Sequence, residues 1–230
     1  MNAATRSLLI DGPVGPIDVA VDFPVGPVLG VAVVAHPHPL YGGTRDNKVV
    51  QTMARAMLAV GLAVWRPNFR GVGQTTGEHD AGQGETDDLL AVIAHAQSDP
   101  QVPPEARSRL VLAGFSFGSF VQSRVLARLP ETVRASLPLV LVGVAAQRFS
   151  VEPVGADALV IHGEVDDVVP LSAVLDWARP FDLPVVVLPG ADHFFHRRLT
   201  LLKRLIIDYL LAWRARSGLP AADLNDASVE

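Results

Sequence analysis

Three residue types needed for acyl transfer occur in the chain in a suggestive order and setting. Ser116 lies in Gly114-Phe115-Ser116-Phe117-Gly118, an acidic pair in Gly163-Glu164-Val165-Asp166-Asp167-Val168-Val169-Pro170, and His193 in Pro189-Gly190-Ala191-Asp192-His193-Phe194-Phe195. A serine hydroxyl is a weak nucleophile until an imidazole takes its proton and a carboxylate fixes the tautomer of that imidazole. Gly-x-Ser-x-Gly by itself also describes an ordinary strand-to-helix turn. Its weight comes from context: an apolar run, Leu110-Val111-Leu112-Ala113, precedes it, and a helix-like segment with Val121, Val125 and Leu129 follows. Glycines two positions either side of the serine remove side chains that would collide in so tight a turn. Ser116 is then held clear of the sheet, and the Phe117 N–H, at a helix N-terminus, becomes an oxyanion donor.

The elements that must position these residues are legible from apolar patterning. Gly12-Pro13-Val14-Gly15-Pro16 separates two short β-prone runs, Leu8-Asp11 and Ile17-Phe23, as in an opening antiparallel hairpin. Continuously apolar runs at Val28-Ala35, Leu62-Trp65, Leu110-Ala113, Leu137-Val144, Ala158-Ile161 and Val185-Leu188 read as strands covered on both faces. Helix-like segments at Asn47-Val60, Glu85-Gln97, Ser119-Leu129, Ser172-Ala178 and Leu199-Trp213 alternate with them. Strand and helix in alternation predict a doubly wound α/β domain with a mostly parallel sheet of about eight strands and helices on both faces. The acid pair and His193 each fall just past the end of a strand, in the chain order Ser, Asp, His expected of the α/β-hydrolase arrangement.

Composition sets the outer bounds. Of 230 residues, 49% are hydrophobic and 19% charged, enough apolar material for one large core and incompatible with disorder or a coiled coil. A single domain over residues 1–216 is expected, with a polar, acidic tail at 217–230. A net charge of −5 with scattered basic residues offers no footprint for nucleic acid. The absence of cysteine excludes disulfides and a thiolate nucleophile or zinc ligand. No apolar run approaches the roughly 20 residues needed to cross a bilayer, and no apolar stretch follows a basic segment at the start. The expected setting is the cytoplasm, without membrane association. Composition does not speak to oligomeric state.

Over nearly its whole length the sequence resembles the α/β-hydrolases of the small, lidless serine esterase type. It is similar in particular to a group of bacterial hydrolases that carry His36-Pro37-His38-Pro39-Leu40-Tyr41-Gly42-Gly43, Arg70-Gly71-Val72-Gly73 and Gly114-Phe115-Ser116-Phe117-Gly118. The resemblance implies a Ser116, Asp166, His193 triad. Its pattern Gly-x-x-Asp-x-x-Val-Pro fits Gly163, Asp166, Val169 and Pro170, with Asp167 as the fallback. It also implies a second oxyanion donor from the loop after the third strand. Matching His36-Pro37 to the usual His-Gly assigns that role to the His38 N–H, with Leu40 or Tyr41 as alternatives, and Leu40 and Tyr41 are the loop residues expected to touch substrate. Pro39 cannot serve, having no N–H.

Several features have plainer readings. His36 and His38 could suggest a metal, but no carboxylate-rich ligand motif follows, so neither metal nor cofactor is expected. Arg70-Gly71-Val72-Gly73 lacks a P-loop lysine and reads as a turn. His95 and His162 read as structural histidines, and Asp192 as a residue that caps or solvates its own loop. Only residues 145–156 or so are available where many relatives insert a cap, so an open site is expected. The expected activity is hydrolysis of a small or short-acyl ester or thioester through an acyl-serine. The same groups would also serve an acyltransferase or perhydrolase, and a non-catalytic binding protein on this fold is the remaining alternative.

Overall fold

The computed structural model describes residues 5–219; most of the expected tail lies outside the described residues. Eight strands run through it: β1 (Arg6–Gly12), β2 (Gly15–Asp22), β3 (Gly30–Ala35), β4 (Leu62–Pro67), β5 (Leu110–Phe115), β6 (Leu139–Val142), β7 (Leu159–Gly163) and β8 (Val185–Leu188). They form one sheet of order β1-β2-β4-β3-β5-β6-β7-β8. The β1/β2 hairpin is antiparallel, as the Gly-Pro cluster suggests, and β2 also joins β4 antiparallel. Every other pairing is parallel.

Six helices cover the sheet: α1 (Lys48–Ala59), α2 (Gln83–Ser98), α3 (Phe117–Arg128), the short α4 (Glu131–Arg134), α5 (Leu171–Ala178) and α6 (Leu199–Arg216). Strand side chains alternate between two apolar layers. Val31, Val33 and Leu112 face a layer built with α2, α3 and α5, whereas Ala32, Val34 and Val111 face one built with α1 and α6. Because both faces are covered, β3, β4, β5 and β6 are buried at every position, and their sequences show no alternation.

Two boundaries differ from the sequence expectation for physical reasons. The run Leu137-Val144 yields only a four-residue β6, since Pro138 has no N–H to give the ladder and Gly143 turns away at φ 57°. Helix α3 begins at Phe117, two residues early, because the turn at Ser116 is completed within a single residue. Residues 143–158, between β6 and β7, contain no helix or strand, so no cap domain is inserted there. Among the described residues, no helix is long and apolar enough to cross a membrane.

Candidate active site

The parallel strands deliver the candidate residues to one edge of the sheet. Ser116 follows the central strand β5, and its neighbour β3 leads into the His36–Gly43 loop. Asp166 follows β7, and His193 follows β8. Strand β8 stands three places from β5, about 14 Å at the usual inter-strand spacing, so its loop must reach back to meet the serine. The two outer loops travel together: Glu164 N–H donates to the Leu188 carbonyl, Val165 N–H to the Ala191 carbonyl, and Gly190 N–H to Glu164 Oε2.

At the serine the backbone is strained, with φ 55° and ψ −117°. Such a conformation in a non-glycine residue costs on the order of 1–3 kcal/mol and persists only where the surroundings enforce it. Here Ser116 N–H donates to the Val142 carbonyl (2.9 Å), and Ser119 Oγ–H is shared between the carbonyls of Gly114 (2.8 Å) and Val142 (3.0 Å). Gln122 Nε2 ties the carbonyls of Val33 and Ala113 beneath the turn. The flanking glycines are required by space: a Cβ on Gly114 would run into the Gly118 carbonyl, and one on Gly118 would sit 2.7 Å from the His36 carbonyl oxygen.

Ser116 Oγ lies 3.1 Å from His193 Nε2, and His193 Nδ1 lies 2.7 Å from Asp166 Oδ2. All three side chains are buried, with 8%, 2% and 7% of the residue surface exposed for Ser116, His193 and Asp166, so solvent competes little for these bonds. The other carboxylate oxygen, Oδ1, accepts the N–H groups of Val168 (2.9 Å) and Val169 (2.7 Å). Asp167, by contrast, is exposed.

No family model matches the chain. Over 214 residues it is 32% identical to the uncharacterized protein RP471 of Rickettsia prowazekii (strain Madrid E), covering 89% of this chain and 88% of that protein. It is also similar to XC6422 of Xanthomonas campestris, described as a member of the α/β serine hydrolases without lid. That likeness has 39% identity and TM-score 0.80 and spans 96% of this chain and 98% of the other. A serine hydrolase homologue of Coxiella burnetii matches at 35% identity and TM-score 0.76, over 89% of this chain and 97% of its own. The chain belongs to the α/β serine hydrolases. This hydrolase shares with XC6422 its fold, and like it carries no lid between β6 and β7.

The electrostatics of the hydrolase site follow from burial and donors. Burial alone would raise the Asp166 carboxyl; the His193 bond, the Val169 N–H and the two nearby imidazoles outweigh it and hold the group below the ordinary carboxylate range. An ionised acid is thereby available to orient the His193 Nδ1–H. On the opposite side of Ser116, His36 is fully buried; its Nε2 accepts the Phe69 N–H at 2.8 Å, which leaves Nδ1 to carry the proton toward the Pro37 carbonyl at 2.6 Å. Burial, reinforced by Arg45 and opposed by the Pro37 bond, pushes its pKa down to about 4.

The loop that His36 anchors carries the remaining expected residues. Leu40 N–H donates to His38 Nδ1 (3.3 Å), and Tyr41 N–H to the His38 carbonyl (3.1 Å), so both of those amides are engaged. The N–H groups of His38 and Phe117 have no hydrogen-bond partner among the described residues. The Gly43 N–H also donates to the His38 carbonyl, and a Cβ on Gly43 would lie 2.7 Å from that oxygen, so the loop closes only around a glycine. The His38 ring is packed among Tyr41, His79, Phe117 and Phe149, at centroid distances of 4.6–5.9 Å. Leu40 and Tyr41 project outward, 69% and 75% exposed, at the mouth of the site.

Elsewhere, Asp192 caps its own loop, accepting the His196 N–H (3.0 Å) and lying 2.6 Å from His196 Nδ1. Arg70 makes a buried two-pronged bond to Asp88 of α2, through Nε (2.8 Å) and an NH2 nitrogen (3.0 Å), and so pins the glycine-rich turn. From sequence, His36 falls in the oxyanion loop and His162 among the structural histidines, but the bonds that bury them, to the Phe69 N–H and to the Val169 carbonyl, are not foreseen. The signal available for each is its position as the first polar residue at the end of an otherwise apolar buried strand.

Proposed function

We propose that this hydrolase is a serine esterase or thioesterase that acts on small or short-acyl substrates through an acyl-serine intermediate. The reading rests above all on the continuous series from Ser116 Oγ through His193 to Asp166, at 3.1 and 2.7 Å, beside two unengaged backbone N–H groups. In the proposed reaction His193 Nε2 takes the Ser116 proton as the oxygen attacks the carbonyl carbon. Asp166 accepts the His193 Nδ1–H and stabilises the imidazolium. The tetrahedral oxyanion is held by the amides of Phe117 and His38, each such donor contributing about 3 kcal/mol to the barrier reduction. His193 then protonates the leaving alcohol or thiol, and a water activated by the same imidazole releases the acid.

Small substrates are favoured by the lack of an inserted helix or strand between β6 and β7. Leu40, Tyr41 and Phe194 are exposed apolar side chains on the two loops that carry the His38 amide and His193. An extended acyl chain would find little to bury it. The test is a series of p-nitrophenyl esters and acyl thioesters of increasing chain length, assayed with the parent protein and Ser116→Ala. The expected result is kcat/KM falling from acetyl and butyryl toward octanoyl, and turnover abolished in the variant. Undiminished hydrolysis by Ser116→Ala, or a preference for long chains, would overturn the proposal.

A further inference from the structure

One buried ionisable side chain next to the site has no part in the mechanism above. His162, the fourth residue of β7, is fully buried. Its Nε2 lies 2.9 Å from the Val169 carbonyl oxygen and 3.4 Å from Asp166 Oδ2, the oxygen that also faces His193. Its other nitrogen, Nδ1, is buried and has no hydrogen-bond partner. A carbonyl can only accept, so the ring proton must sit on Nε2, leaving Nδ1 as a bare lone pair. Burial holds the ring below its ordinary pKa, against the opposing pull of the Val169 bond and Asp166, which favours the form with that single proton.

An imidazole with one nitrogen stranded in an apolar layer is a poor choice for packing alone, where Leu or Met would leave no polar atom unpaired. Its useful atom is the Nε2–H, which donates to the Val169 carbonyl, while Asp166 Oδ2 lies 3.4 Å from the same nitrogen as a neighbouring charge. Val169 is the hinge of the arrangement: its N–H donates to Asp166 Oδ1 while its carbonyl takes the His162 proton. The acid loop is thereby closed on itself from below, with Asp166 Oδ2 facing both imidazoles and Oδ1 accepting the Val168 and Val169 N–H groups.

We infer that His162 is a positioning residue of the hydrolase, which aims Asp166 at His193 and shares the negative charge of its Oδ2. The inference rests on the triad reading proposed above. It has a consequence that packing would not produce. With the Nε2–H removed, Val168 and Val169 still hold Asp166 in place, and more of the carboxylate charge falls on His193. The acid limb of the kcat/KM profile then moves upward.

The test compares parent, His162→Gln, His162→Leu and Ser116→Ala on one short p-nitrophenyl ester across pH. Gln can offer an N–H where the Nε2–H stood; Leu fills similar space without one. For His162→Leu the expected result is a kcat loss of roughly tenfold, the low end of what removing an orienting group causes, with KM unchanged. Its acid limb is expected to rise by roughly half a pH unit. His162→Gln should restore both the rate and the position of the limb. If His162→Leu matches the parent in rate and profile, the inference is wrong. It is equally wrong if Gln and Leu lose activity alike, with the limb unmoved and melting temperature lowered in both, since that is the result of packing alone. Failure of the parent reading is distinguishable, because then the parent itself is inactive or Ser116→Ala retains its rate.

Discussion

Neutral His36 under the oxyanion loop makes folding stability depend on pH in a way that can be calculated. The unfolded chain protonates this ring around the ordinary value of 6.5, whereas in the fold it resists until about 4. Over that window the unfolded state holds more protons, so acid favours unfolding. The stability conferred by a neutral His36 is thus fully present above pH 6.5 and is lost as pH falls toward 4, where both states become charged. Each pH unit is worth about 1.4 kcal/mol, so the full window amounts to about 3 kcal/mol, of which about 2.5 kcal/mol falls between pH 7.5 and pH 4.5. The assay is urea unfolding at several pH values for the parent and His36→Gln, a side chain that cannot titrate but can still accept the Phe69 N–H. The variant should start less stable, having lost its fit against Phe69. It should then lose about 2.5 kcal/mol less than the parent on acidification. Some slope must survive in both, since His162 is also held neutral by burial. Parallel curves for the two proteins would refute the calculation.

Three further outcomes are expected. Asp166→Asn should lower kcat by roughly 1,000- to 10,000-fold through loss of the orienting carboxylate, while Asp167→Asn, altering an exposed residue, keeps more than about a tenth of the activity; steady-state kinetics rank the two. Arg70→Leu leaves Asp88 buried without its partner and should cost about 3–5 kcal/mol, read by denaturant unfolding. Asp88→Asn combined with Arg70→Leu should recover part of that loss, because it removes the stranded charge.

The sequence carried the parts of this structure that depend on local pattern. Apolar runs without alternation mark β3, β4 and β5 because both sheet faces are covered, and Gly114-x-Ser116-x-Gly118 marks the elbow because only hydrogen fits against the Gly118 and His36 carbonyls. The choice between Asp166 and Asp167 was legible only through a motif, and in the structure one is buried and the other exposed. What could not be read are polar partnerships across long stretches of chain. His36 meets the Phe69 amide 33 positions away, and Arg70 meets Asp88 across the glycine-rich turn and the first part of α2. These bonds satisfy buried polar groups one by one, and no periodicity records them. The four residues of α4 are too short a segment for a helical repeat to appear.

The central claim is that Ser116 is an activated nucleophile. Its most direct test is reaction of the purified protein with a fluorophosphonate, followed by mass mapping of the adduct, beside Ser116→Ala and His193→Ala. The account requires one adduct, on Ser116, absent from the first variant and formed far more slowly in the second. A well-folded parent that takes up no label, or one labelled elsewhere while Ser116 stays free, would contradict it.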